Sequence, residues 1–113
     1  MKFLLTTSPN TDAPPAPPSP EFMQEMGRFV EEQTKAGVLL ATGGLLPVSK
    51  GGARVRSSGG KFSVVDGPYA ESKELIAGFA MIEVPTREAA IEASRKFFKI
   101  AGDGEGEIRQ IMG

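Results

Sequence analysis

Lys61-Phe62-Ser63-Val64-Val65-Asp66-Gly67-Pro68-Tyr69-Ala70-Glu71-Ser72-Lys73-Glu74-Leu75-Ile76-Ala77-Gly78-Phe79-Ala80-Met81-Ile82-Glu83-Val84 holds the longest apolar run of the chain beside a dense charged turn. The spacing predicts a β-segment ending at Asp66, an acidic loop crossing to Leu75, and a strand from Leu75 to Val84 that is apolar on both faces. Such a strand belongs in the middle of a sheet, covered on two sides.

Upstream, Ala53-Arg54-Val55-Arg56, the turn Ser57-Ser58-Gly59-Gly60 and Lys61 to Asp66 read as a β-hairpin, with Arg54 and Arg56 on one face and Val55 on the other. Val38 to Leu46 reads as a strand stopped by Pro47, with a bulge or bend expected at Gly43-Gly44. A phosphate-cradling loop is excluded there, because the Lys-Ser/Thr of such a loop is missing and no helix follows. Before it, Ser19-Pro20 is a helix start: the serine hydroxyl accepts an orphan amide, and proline at the first helical position forfeits no hydrogen bond. Phe22, Met26, Phe29, Val30 and Gln33 fall on one face of that helix, an aromatic stripe for a sheet, and Gly37 suits its left-handed closure after Ala36. Gly27 inside the helix costs about 1 kcal/mol against alanine, so close backbone packing is expected there. Lys2 to Thr7 is a first strand. Ser8 to Pro20 carries six of the nine prolines and reads as an exposed connector, although its prolines three apart also fit the pattern of ligands for SH3-type grooves.

Downstream, Thr86 caps a second helix in which Ala90, Ala93, Phe97 and Ile100 or Ala101 recur opposite Glu88, Glu92, Arg95 and Lys99. Gly102-Asp103-Gly104-Glu105-Gly106 breaks it, and Glu107 to Met112 forms a short last strand. The order β-α-β, hairpin, β-α-β is an α+β, ferredoxin-like plan with an inserted β-hairpin.

Composition bounds the chemistry. The 113 residues fit one domain spanning 1–113, and a net charge of −1 creates no field that attracts nucleic acid or an anionic membrane. Neither partner is expected. With no cysteine and no histidine, disulfides, thiolate nucleophiles and the commonest metal ligands are excluded, so neither a metal site nor a tightly held cofactor is expected. Acid–base work falls to Asp, Glu, Lys or Tyr. The opening Phe3-Leu4-Leu5 is too short for a signal segment, and no stretch approaches the ~20 apolar residues of a membrane span, so a cytoplasmic protein is expected.

Ala36-Gly37-Val38, the paired-arginine hairpin, Val65-Asp66-Gly67-Pro68-Tyr69-Ala70-Glu71-Ser72-Lys73-Glu74 and Gly78-Phe79 together resemble the DGPF branch of the YCII-related proteins, with Tyr69 in place of the usual phenylalanine. The resemblance spans nearly the whole chain. It implies a ferredoxin-like domain of the dimeric α/β-barrel kind, in which two sheets pack face to face around a cavity, and related barrels include small-molecule isomerases, monooxygenases and decarboxylases. In parts of the wider family a histidine paired with an aspartate is treated as an active-site group. This chain has no histidine, so that pair does not carry over.

Asp66 is the candidate catalytic residue, since a carboxylate at a strand end beside a backbone reversal can sit over a cavity and move protons. The same carboxylate equally suits the Gly67-Pro68 turn by accepting its amides. Tyr69, Arg54, Arg56 and Lys73 are candidate ligand-binding groups, each with a plain structural rival: packing for Tyr69, a solvated hairpin face for the arginines, an exposed charge run for Lys73. Two functional classes follow. The first is a homodimer enclosing a small-molecule cavity with acid–base capacity. The second is a non-catalytic dimeric regulatory or protein-interaction module, for which the resemblance supplies transcription-related settings involving sigma factors. A homodimer through the sheet is expected in either case, because two right-handed crossovers place both helices on one side and leave the other face of the Leu75–Val84 strand apolar and open; the rival is the inserted hairpin folding over that face.

Overall fold

The computed structural model describes residues 1–8, 18–65 and 76–113. Strand β1 (Lys2–Ser8) is followed by helix α1 (Pro20–Lys35), strand β2 (Leu39–Gly44), the hairpin strands β3 (Arg54–Ser58) and β4 (Lys61–Val65), strand β5 (Gly78–Glu83), helix α2 (Arg87–Ala101) and strand β6 (Glu105–Gln110). The expected Ser8–Pro20 connector lies mostly outside the described residues.

Local chemistry sets the helix ends. The Ser19 hydroxyl accepts the Phe22 N–H at 3.1 Å, with Pro20 opening α1, and the Thr86 hydroxyl accepts the Ala89 N–H at 3.1 Å. Each satisfies one of the amides that a helix start leaves orphaned. Gly37 follows the Ala36 cap of α1 at φ 75°, and Gly102 stops α2 at φ 88°, conformations that favour glycine. In the hairpin Gly59 and Gly60 both take positive φ, the requirement of the two-residue turn whose twist matches its strands.

Four strands form one antiparallel sheet in the order β2-β5-β1-β6, while β3 and β4 pair only with each other. Parallel strands β1 and β2 flank β5, and parallel strands β5 and β6 flank β1, which is the ferredoxin-like arrangement. β5 is central, as its composition predicts. It is shorter than expected, however: Ile76 and Ala77 precede the ladder, although the Ala77 N–H still donates to the Thr7 carbonyl at 2.7 Å.

Register assigns the faces. Phe3 lies opposite Ile82 and Leu5 opposite Ala80, and these side chains point toward the helices. Phe3, Leu5, Ile82, Val84 and Ala90 form the buried core, with Val38, Leu39, Ala80, Ala89, Ala93 and Ile108 packed around it. Leu4, Phe79 and Met81 alternate onto the other face, which neither helix covers.

Three details depart from expectation. The irregularity in β2 falls between Leu39 and Ala41, so Leu40 is the bulged residue and Gly43-Gly44 stay in register with Phe79 and Gly78. Gly43 is needed for a different reason: a Cβ there would stand 3.1 Å from the Phe79 ring. Gly27 has nothing within 4 Å of where its Cβ would be, so it marks no close packing. The last strand starts two residues early, at Glu105, and takes Gly106 into the ladder opposite Thr7.

Candidate functional site

Side-chain size changes systematically along the helix-facing side of the sheet. At one end Leu39, Ile82, Phe3 and Gln110 stand side by side across the four strands. The next such row is Thr42, Ala80, Leu5 and Ile108. The row at the far end is Gly44, Gly78, Thr7 and Gly106. Large side chains fill the space under the helices at the first end, whereas the last row carries Thr7 as its one side chain, with the Phe98 ring leaning over Gly106. Between the layers lies a partly open cavity of about 660 Å³ that reaches from Leu39 and Ile82 to the glycine end. That volume lies within the range of small-molecule sites.

The helices supply the opposite wall. Phe22, Met26 and Phe29 of α1 and Phe97 and Phe98 of α2 all line the cavity and all remain half-buried. No residue of α1 is fully buried, so its apolar stripe faces the space rather than closing onto the strands. Phe97 and Phe98 meet edge to face, with ring centroids 5.4 Å apart and planes at 75°. The Phe98 ring in turn lies against β6: a Cβ on Gly104 would stand 3.2 Å from it, and one on Gly106 would stand 3.5 Å from it and collide with the Thr6 carbonyl oxygen. Gly104 and Gly106 thus seat one wall of the cavity.

Polar groups are few. Gln33, Ser94, Thr7 and Thr42 border the cavity, and the Thr42 hydroxyl already donates to the Phe79 carbonyl at 3.0 Å. Glu107 is the one ionisable residue bordering it among those described, and the register places it with Thr6 and Phe79 on the opposite face of the sheet. Among the described residues no polar or charged residue is buried, and no group of three or more Asp, Glu, His or Cys could hold a metal ion.

Asp66, Tyr69 and Lys73, named from the sequence, lie outside the described residues. Arg54 and Arg56 do share one face of the hairpin, opposite Val55, but both are exposed and neither borders the cavity. The structure therefore does not bring the two arginines to this space. What sequence reasoning did not single out is the pocket within one chain, between helices and sheet. The available signals were the Phe22, Met26, Phe29 stripe, Phe97, and glycines that fall in register on neighbouring strands.

Two helices on one face of a four-stranded sheet, with an apolar cavity between the layers, define an α+β protein of ferredoxin-like fold. The chain belongs to the YCII-related family, whose domain matches residues 1–112. It is also similar to an uncharacterised protein of Rhizobium meliloti strain 1021, at 32% identity over 90 residues, covering 79% of this chain and 72% of the relative. No described helix is long and apolar enough to cross a membrane.

Proposed function

We propose that the protein binds an uncharged, largely apolar small molecule with at least one aromatic ring in the cavity between its helices and its sheet. The observation that supports this most strongly is the wall: four of the chain's seven phenylalanines project from two helices over a floor of Gly44, Gly78 and Gly106. Ring faces and edges recognise other rings by offset and edge-to-face contact, and a floor whose one side chain in that row is the small Thr7 admits a flat ligand. No cation is available among the described lining residues to compensate an anionic ligand, and burying an uncompensated charge is costly. Gln33, Ser94 and Thr7 can orient a ligand through one or two hydrogen bonds. The described wall offers no pair of ionisable groups for proton transfer, so binding is the activity it supports.

The same reading includes a homodimer through the uncovered sheet face, where Leu4, Phe79 and Met81 are half-buried without helix cover. Binding is tested by fluorescence titration with the neutral probe N-phenyl-1-naphthylamine and its anionic sulfonate analogue. Wild type binds the neutral probe more tightly. Ala93→Phe, which adds a ring where Ala93 lines the cavity, weakens neutral-probe binding by about tenfold or more while circular dichroism stays unchanged. Equal affinity for both probes, or an unaffected Ala93→Phe variant, overturns the proposal.

A further inference from the structure

We infer that Gln33 determines the polar end of the ligand: the cavity takes an elongated aromatic molecule that carries a neutral donor–acceptor edge, a primary carboxamide or a lactam, and pairs that edge with the Gln33 side-chain amide. This rests on the binding reading above and names the chemistry of its ligand. Phe22, Met26, Phe29 and Val30 form the apolar stripe of α1, and Gln33 continues it at the same spacing and lines the same cavity. A leucine there would complete the stripe, whereas an amide interrupts it. Gln33 is half-buried, and its side chain makes no hydrogen bond to another described residue. Its exposed neighbour Thr34, by contrast, donates its hydroxyl back to the Val30 carbonyl at 2.7 Å.

Position separates the amide from the rings. The Val38 N–H donates to the Gln33 carbonyl at 3.0 Å, and Leu39 follows directly, opposite Ile82 in the sheet. Gln33 therefore stands at the Leu39–Ile82 end of the cavity, while the Phe98 ring stands over Gly106 at the other. Along β1 these ends are the rows of Phe3 and Thr7, about 14 Å apart at the ordinary strand rise. A ligand with its ring at the glycine end reaches Gln33 with its far edge. A primary carboxamide has one carbonyl acceptor and two N–H donors, the same set as the glutamine side chain, so the two pair through a ring of two hydrogen bonds. No ionisable residue lines the cavity at this end among those described, so the matching group is neutral. A ligand that displaces water from Gln33 must replace its hydrogen bonds, and a hydrocarbon end leaves the amide unpaired. A site built this way rejects the analogue that lacks the polar group.

The test is displacement of N-phenyl-1-naphthylamine by three ligands of one shape: biphenyl-4-carboxamide, its methyl ester analogue methyl biphenyl-4-carboxylate, and 4-methylbiphenyl. Wild type binds the carboxamide at least tenfold more tightly than 4-methylbiphenyl, although the carboxamide loses more hydration on entry. It also binds the carboxamide at least tenfold more tightly than the ester, which keeps a carbonyl and lacks both donors. Gln33→Met keeps the length of the side chain and removes its polar atoms. This variant binds the carboxamide at least tenfold more weakly than wild type does and 4-methylbiphenyl no more weakly, with unchanged circular dichroism. If N-phenyl-1-naphthylamine itself fails to bind wild type, the cavity reading falls and this inference with it. If it binds, and wild type holds 4-methylbiphenyl or the ester as tightly as the carboxamide, the cavity stands and the role of Gln33 is overturned. A folded Gln33→Met protein that retains the wild-type preference for the carboxamide overturns it as well.

Discussion

Gly106→Ala tests how tightly the cavity's glycine end is specified. Gly106 lies in β6 opposite Thr7, and its missing side chain is occupied from two sides. A methyl there meets the Thr6 carbonyl oxygen at less than contact distance and comes within 3.5 Å of the Phe98 ring. The ring can turn away. The carbonyl cannot, because β1 is paired with β5 on one side and β6 on the other. Relief must come from displacing β6, and overpacking of this kind costs about 1–3 kcal/mol. In a domain near 100 residues each kcal/mol shifts the melting temperature by about 4–8 °C, so a drop on the order of 5–20 °C is expected. Differential scanning calorimetry or thermal circular dichroism measures it, and neutral-probe affinity should fall as well, since Phe98 loses its seat. A Gly106→Ala protein melting within about 2 °C of wild type would show that β6 and Phe98 are not packed as described.

The other glycine and capping predictions point in both directions. Gly27→Ala stabilises by about 0.5–1 kcal/mol, because its helix position is open and alanine is the better helix former; a loss of stability would restore the close-packing reading. Ser19→Ala and Thr86→Ala each lower the urea midpoint by the equivalent of about 1 kcal/mol, and replacement by glycine costs only a few tenths. Full stability in both alanine variants would remove the hydroxyl caps. Glu31→Ala changes stability by no more than about 0.5 kcal/mol, since the 2.9 Å Lys35–Glu31 pair is 76% and 64% exposed.

Much of the fold was legible because its signals are local. Ser19-Pro20, Thr86, Gly37, Gly102 and the Gly59-Gly60 turn each act within three or four residues of themselves, and each helix start and the hairpin turn fall where those residues put them. The centrality of β5 was legible too, because Phe79 and Met81 alternate with Ala80 and Ile82. Register was not. The Leu40 bulge depends on how β2 meets β5, and the paired glycines nearby drew the expectation to the wrong position. The cavity was hidden for a related reason: the period of Phe22, Met26 and Phe29 identifies an apolar helix face but not the distance to the opposite layer. That distance depends on Gly44, Gly78 and Gly106 falling in one row across the sheet with Thr7, which no single segment reveals.

The central claim is that the glycine end of the helix–sheet layer is a ligand site. Its most direct measurement is the change in backbone amide shifts of ¹⁵N-labelled protein on titration with N-phenyl-1-naphthylamine. The largest changes are expected at Gly44, Gly78, Ser94 and Gly106, with little at Met1, Glu83 and Met112 at the other end of the sheet. Changes confined to that other end, or to Val55, Phe62 and Val64 of the hairpin, would contradict it.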